Sequence, residues 1–245
     1  MIAFYLPGNI PIYTSALLLG LGTTIGLSWT AMLASLQHRR AYVDAGLWSL
    51  VGGLVCGRAS FVVIYWDYFQ LYPRQIGAIY LGGFFWPGAL VGSLVALILY
   101  TGTSHLTLGE VSDALLPVLA LVAACAWLGC WLDGYAYGAP VIAWWGVLAR
   151  DEWGGLARRV PVQLLGALLS IILLSTLIIL TPKFKVPGRA ALLGISGMSL
   201  ELFALSFLRA DPVPRWHGLP PDAWISLGLA WVMVFMFFIN HFHNK

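Results

Sequence analysis

Apolar residues in this chain gather into seven blocks, each close to the roughly 20 residues that a helix needs to cross the hydrocarbon core of a bilayer. The blocks run Tyr13–Leu36, Val43–Trp66, Ile79–Tyr100, Val111–Leu132, Val160–Leu180, Ala190–Phe207 and Ala223–Ile239. A helix satisfies its own backbone groups, and lipid supplies no partners for them, so each block is expected to be helical. The pattern predicts an all-α, polytopic membrane protein of seven transmembrane helices. The chain, 1–245, is expected to form a single membrane domain with no room for a soluble one.

Composition agrees with that pattern. Residues of the types AVILMFWYC make up 60% of the chain and DEKR only 9%, against about 25% charged in soluble domains. The net charge of +3 is small and basic residues never run longer than two, which argues against a nucleic-acid partner. Cys56, Cys125 and Cys130 sit in or beside apolar stretches with no metal-ligand spacing. Small buried side chains are the expected reading. No cofactor and no metal site are anticipated. The first residues, with Pro7, Gly8 and Pro11 and no charged leader, do not read as a cleavable signal peptide.

The connecting segments bear on orientation. With the N-terminus outside, Arg39, Arg40, Lys183, Lys185, Arg189 and Lys245 fall inside, while Arg74, Arg150, Arg158, Arg159, Arg209 and Arg215 fall outside. That count is even, but short loops weigh most in setting topology. The tight clusters His38–Arg40 and Lys183–Lys185 then favour N-terminus outside and C-terminus inside. The longest loop, 133–159, is rich in Gly and aromatic residues. It is expected on the outer face as short interfacial helices, either as an anchor or as a lid over a lipid cleft.

Ionisable groups inside spans are costly and point to function. Arg58 in the second span and Glu201 in the sixth are the deep ones. They could neutralise each other as an ion pair, or Arg58 could bind a lipid phosphate. Asp44, Asp113 and Asp133 stand at span ends, where solvation is cheap. The five histidines avoid the spans, and His241 and His243 with Lys245 read as a polar terminus. The pairs Gly52–Gly53 and Gly82–Gly83, with Gly88 and Gly92, would let helices approach closely. A transporter would call for an internal repeat or broken helices, and no repeat is evident.

Several blocks carry a family resemblance. The stretch Gly57, Arg58, Tyr65, Asp67, Tyr68 and Pro73 is similar to a Gly-Arg…Tyr…Asp-Tyr…Pro segment. Gly82 to Gly92 keeps the frame of a Gly-Gly-x-Ser-x-His-Gly-Gly-x-x-Gly block, and Asp113 to Pro117 resembles an Asp-x-x-x-Pro helix opening. Leu128 to Gly138 follows a Gly-Arg-x-Gly-Asn-x-x-Asn-Gly-Glu-x-x-Gly signature, and Pro161 to Leu164 resembles Pro-Thr-Gln-Leu. Together they resemble the prolipoprotein diacylglyceryl transferase family, inner-membrane enzymes of seven spans. These move a diacylglyceryl group from phosphatidylglycerol to the lipobox cysteine of a preprolipoprotein.

The resemblance also places the family's functional residues on this chain. Its essential His falls on Pro87, its signature Arg on Trp127, its signature Asn on Cys130 and the following Glu on Tyr135. In the sixth span, its Arg falls on Leu202 and its Glu on Ser206. Retained are Gly57, Arg58, Gly82, Gly83, Pro117, Gly129, Gly134, Gly138, Pro161 and Gln163. Moving a diacylglyceryl group needs a base for the thiol and cationic help for the departing phosphate, and losing either class costs about 10²-fold or more. The expectation is therefore a pseudoenzyme, a structural or lipid-binding subunit of a larger membrane complex. It would bind phospholipid through Arg58, Asp133, Gly138, Glu201 and Arg209 and associate with other membrane-protein subunits. The alternative is an active transferase with a rearranged site built from Arg58, Asp133, Glu201 and Arg209.

Overall fold

The computed structural model describes residues 2–6 and 10–242. Pro7, Gly8, His243 and Lys245 lie outside the described residues, as does the side chain of His241. A hairpin of β1 (Ile2–Leu6) and β2 (Ile10–Tyr13) opens the chain and runs directly into α1 (Thr14–Leu33). Then come α2 (Arg39–Ile64), the short α3 (Trp66–Phe69), α4 (Trp86–Thr103), the short α5 (Leu108–Ala114) and α6 (Leu116–Asp133). A second hairpin, β3 (Val147–Arg150) with β4 (Leu156–Arg159), leads to α7 (Val162–Leu180), α8 (Arg189–Ser206) and α9 (Pro221–Phe242). Among the described residues seven helices are long and apolar enough to cross a membrane, namely α1, α2, α4, α6, α7, α8 and α9. The protein is a multi-pass membrane protein.

The helices touch as a chain of pairs. α4 lies on α2, α2 on α1, α1 on α6, α6 on α7, α7 on α8 and α8 on α9. Lipid tails are as apolar as the side chains they face, so close van der Waals fit must hold these pairs together. Small residues provide that fit. A Cβ on Gly92 would overlap the carbonyl of Gly52, and one on Gly26 would sit 2.6 Å from Val118 Cα. The expected role of Gly52 and Gly92 is met. Gly82 and Gly83 behave differently: both have φ of +78° and lie in the turn ahead of α4.

That turn corrects the third span, which begins at Trp86 and not at Ile79. A 3₁₀ turn covers Ile79–Leu81, the two left-handed glycines stop it, and Pro87 stands in the first turn of α4, where its missing N–H costs nothing. The fourth span is also interrupted, since α5 and α6 meet at Leu115, just before Pro117. α5 opens with a capping box in which Thr107 and Glu110 satisfy each other's backbone N–H groups.

The loop 133–159 departs most from expectation. The interfacial helices foreseen there are absent among the described residues, and the hairpin β3–β4 takes their place. Asp151 makes the turn: its Oδ1 accepts from the N–H groups of Trp153 and Gly155, and Gly154 adopts φ +85°. Burial alternates along both strands, a period of two that suits a sheet and not a helix.

Asp113 stands at the start of α8, to which α5 is packed. Its Oδ2 accepts from the N–H of Gly188 and its Oδ1 from that of Ala191. These are first-turn donors with no partner inside their own helix. Replacing a capping acceptor with Ala typically costs about 1–2 kcal/mol. Asp113→Ala is expected to lose that much against thermal unfolding in detergent, and Asp113→Asn, which keeps an acceptor, less.

Candidate functional site

α6, α7 and α8 bring three polar side chains together inside the bundle. Glu201 of α8 is 9% exposed. Its Oε1 accepts a hydrogen bond from Trp127 Nε1–H of α6 at 3.1 Å and one from the Ser170 hydroxyl of α7 at 3.0 Å. A buried carboxyl without partners would be costly. Here two helices each supply a donor. The indole of Trp127 reaches Glu201 because it lies flat against Gly166, where any Cβ would fall inside the ring's envelope. Ala124, Ala167, Val162 and Leu205 close the surroundings.

Eight residues beyond Glu201, the chain leaves α8 and presents Arg209. Its Nε and Nη2 donate to the two oxygens of Asp211, at 3.0 and 2.6 Å, and its Nη1 donates to Asp222 of α9 at 2.8 Å. Burial opposes the charge on Arg209, but the two carboxylates outweigh it and raise the guanidinium pKa above its ordinary value. The backbone of Arg209 bridges to Gly138, and Ala210 N–H donates to the Tyr137 carbonyl. Tyr137 is buried, which pushes its phenol pKa up, and Arg159 sits over its ring at 4.5 Å. Gln163 holds the start of this loop by donating to the Tyr135 carbonyl.

These contacts sort the residues singled out in the sequence. Asp133, Gly138, Glu201 and Arg209 belong to one region, with Glu201 deep in the bundle and Arg209 at its mouth. Cys130 lies within electrostatic range of Arg209, Asp133 and Asp211. Ser206 is buried and donates back to the Leu202 carbonyl. Pro87, by contrast, belongs to α4, which packs on α2.

Arg58 lies apart. The ion pair with Glu201 is not formed. Arg58 Nε donates to the Ile76 carbonyl, Nη1 to those of Gly82 and Gly83, and Nη2 to that of Gln75. Its guanidinium also lies over the rings of Phe61 and Phe69. The sequence could not place these partners, because none is a charged side chain. Ser170 and the Arg209–Asp211–Asp222 set were also missed. Glu201 was the signal that could have led to Ser170, since a buried carboxyl must find donors. Among the described residues no three His, Cys, Asp or Glu side chains converge as a metal-ligand set.

A family model described as prolipoprotein diacylglyceryl transferase matches residues 1–239. The chain is 25% identical over 214 residues to the phosphatidylglycerol–prolipoprotein diacylglyceryl transferase of Thermosynechococcus vestitus, covering 83% of this chain and 80% of that protein. With the enzyme of the same name from Acaryochloris marina it shares 23% over 244 residues, 92% of this chain and 88% of that one. The match to the Bacillus licheniformis enzyme is 30% over 143 residues, 57% of this chain and 52% of that protein. These matches overturn the expectation of a pseudoenzyme serving as a complex subunit. The relatives are named as transferases, and nothing in the described structure shows a non-catalytic role. Trp127, which stands where the family has its signature Arg, donates its N–H to the buried carboxyl of Glu201.

Two outcomes test this geometry. Trp127→Phe removes one donor from Glu201 and is expected to lower stability by about 1–3 kcal/mol in a denaturant titration, while Gly166→Ala, which displaces the indole, impairs folding more. Arg58→Leu strands four carbonyls and is expected to cost at least about 3 kcal/mol, read as faster proteolysis between residues 70 and 85.

Proposed function

The chain belongs to the prolipoprotein diacylglyceryl transferase family, and from that premise we propose that it is an active phosphatidylglycerol–prolipoprotein diacylglyceryl transferase with a rearranged site. The observation that carries this reading is the family match along residues 1–239 together with a carboxyl group, Glu201, held between α6, α7 and α8. The relatives' printed name supplies the substrates, phosphatidylglycerol and a prolipoprotein.

In this reading Glu201 accepts the proton of the lipobox cysteine thiol. The thiolate forms a bond from sulfur to the terminal glycerol carbon of the diacylglyceryl group. The bond from that carbon to the phosphate oxygen breaks, and its electron pair leaves with glycerol phosphate. Arg209 faces that anion from the mouth of the bundle. It already carries two carboxylates, so exchanging one of them for a phosphate keeps its charge neutralised and its forked donors filled. Trp127 and Ser170 hold Glu201 in place. Arg58 acts at a distance by fixing the turn that leads into α4.

We place the protein in the bacterial plasma membrane with its N-terminus outside and its C-terminus in the cytoplasm. The clusters His38–Arg40 and Lys183–Lys185 support that topology. Arg209 and the hairpin β3–β4 then open to the outer side.

Complementation tests the reading directly. The chain should rescue growth of a strain depleted of its own transferase, and the purified protein should lipidate a lipobox peptide from phosphatidylglycerol. Glu201→Gln keeps the shape of the side chain but removes the proton acceptor, and is expected to lower the rate by about 10²-fold or more. Failure of the unaltered, folded chain in both assays would sink the proposal.

A further inference from the structure

The hairpin β3–β4 leaves the bundle after α6 ends at Asp133 and returns where α7 starts at Val162. Both helices span the membrane, so the hairpin is held at headgroup level. Its two faces differ in kind. Inward lie Ala149 and Arg159, both buried, with Arg159 paired to Asp151 and stacked on Tyr137. Outward, Leu148 stands opposite Arg158 and Arg150 opposite Leu156. All four outward residues are exposed. Leucine and arginine thus alternate along each strand of this face and directly across the pair. Trp153 at the tip is 74% exposed and Trp144 ahead of β3 is 88% exposed.

Charge on this face is unbalanced. Asp151 is committed to Arg159 and to its own turn, which leaves Glu152 as the exposed acid of the tip. Neither Arg150 nor Arg158 has a side-chain partner among the described residues. We propose that this outward face is a docking surface for anionic phospholipid headgroups. Leu148, Leu156, Trp144 and Trp153 enter the boundary between headgroups and acyl chains, and Arg150 and Arg158 bind lipid phosphates. A second copy of the chain fits less well, because stacking two such faces brings four guanidinium groups together. The inference does not depend on the transferase reading.

The test uses the full chain in nanodiscs of phosphatidylcholine alone or with phosphatidylserine, an anionic lipid that is not the proposed substrate. Hydrogen–deuterium exchange of residues 142–158 is the readout. Phosphatidylserine is expected to slow exchange there by about 10-fold, in line with two basic groups at an anionic surface. About 1 M salt, with a Debye length near 3 Å, should abolish the difference. The double variant Arg150→Gln/Arg158→Gln should lose it and Arg150→Lys/Arg158→Lys should keep most of it, with α6 and α7 exchange unchanged. Equal exchange in both lipids, or a phosphatidylserine effect that survives salt, would overturn the proposal. So would protection that rises with protein concentration. The lipid and salt comparisons need no variant, so a misfolded mutant cannot rescue or spoil the idea.

Discussion

A buried backbone carbonyl without a donor is costly, and between Phe69 and Trp86 the chain leaves α-helix for short 3₁₀ turns and irregular backbone. Arg58 makes that departure tolerable. One guanidinium reaches the carbonyls of Gln75, Ile76, Gly82 and Gly83, and the rings of Phe61 and Phe69 cover it. Its charge is spread over four dipoles with no opposing carboxylate among the described residues. The start of α4, and through α4 the close Gly52–Gly92 contact with α2, depends on where that turn is held.

The same accounting governs the other departures from regular helix. Asp113 satisfies the opening N–H groups of α8 from another helix, and Gln163 satisfies the Tyr135 carbonyl beside Gly134, where α6 ends in a left-handed residue. Arg209 ties the segment after α8 to the first turn of α9 through Asp211 and Asp222. Glu201 reverses the scheme. It is an acceptor with no backbone duty, placed where α6 and α7 each offer a donor. A deep acidic group held by neighbours but not neutralised by a cation is what separates this region from a packing core.

The seven spans were legible because bilayer thickness sets a minimum apolar length, and that length shows in one dimension. Their ends were less so. The third span was drawn through Gly82 and Gly83, which have positive φ and whose carbonyls Arg58 gathers. The aromatic loop after α6 suggested interfacial helices, but Asp151 and Gly154 set a tight turn, and a hairpin formed. Arg58 and Glu201 were singled out as deep charges, with an ion pair as one of two readings, and that pair does not form, since a sequence lists charges without showing which helices touch. Family blocks singled out Trp127; only the structure showed that its N–H points at Glu201.

The fit of the Trp127 indole against Gly166 binds two helices into one exchangeable unit. Suppose α6 were taken from a family member with Arg at the position of Trp127, and α7 were left as it is. The graft would open a gap over Gly166 and set a flexible cation beside Glu201. A graft of α7 alone, with any side chain at 166, would collide with the indole. Any chimera between this chain and its relatives must therefore carry α6 and α7 together.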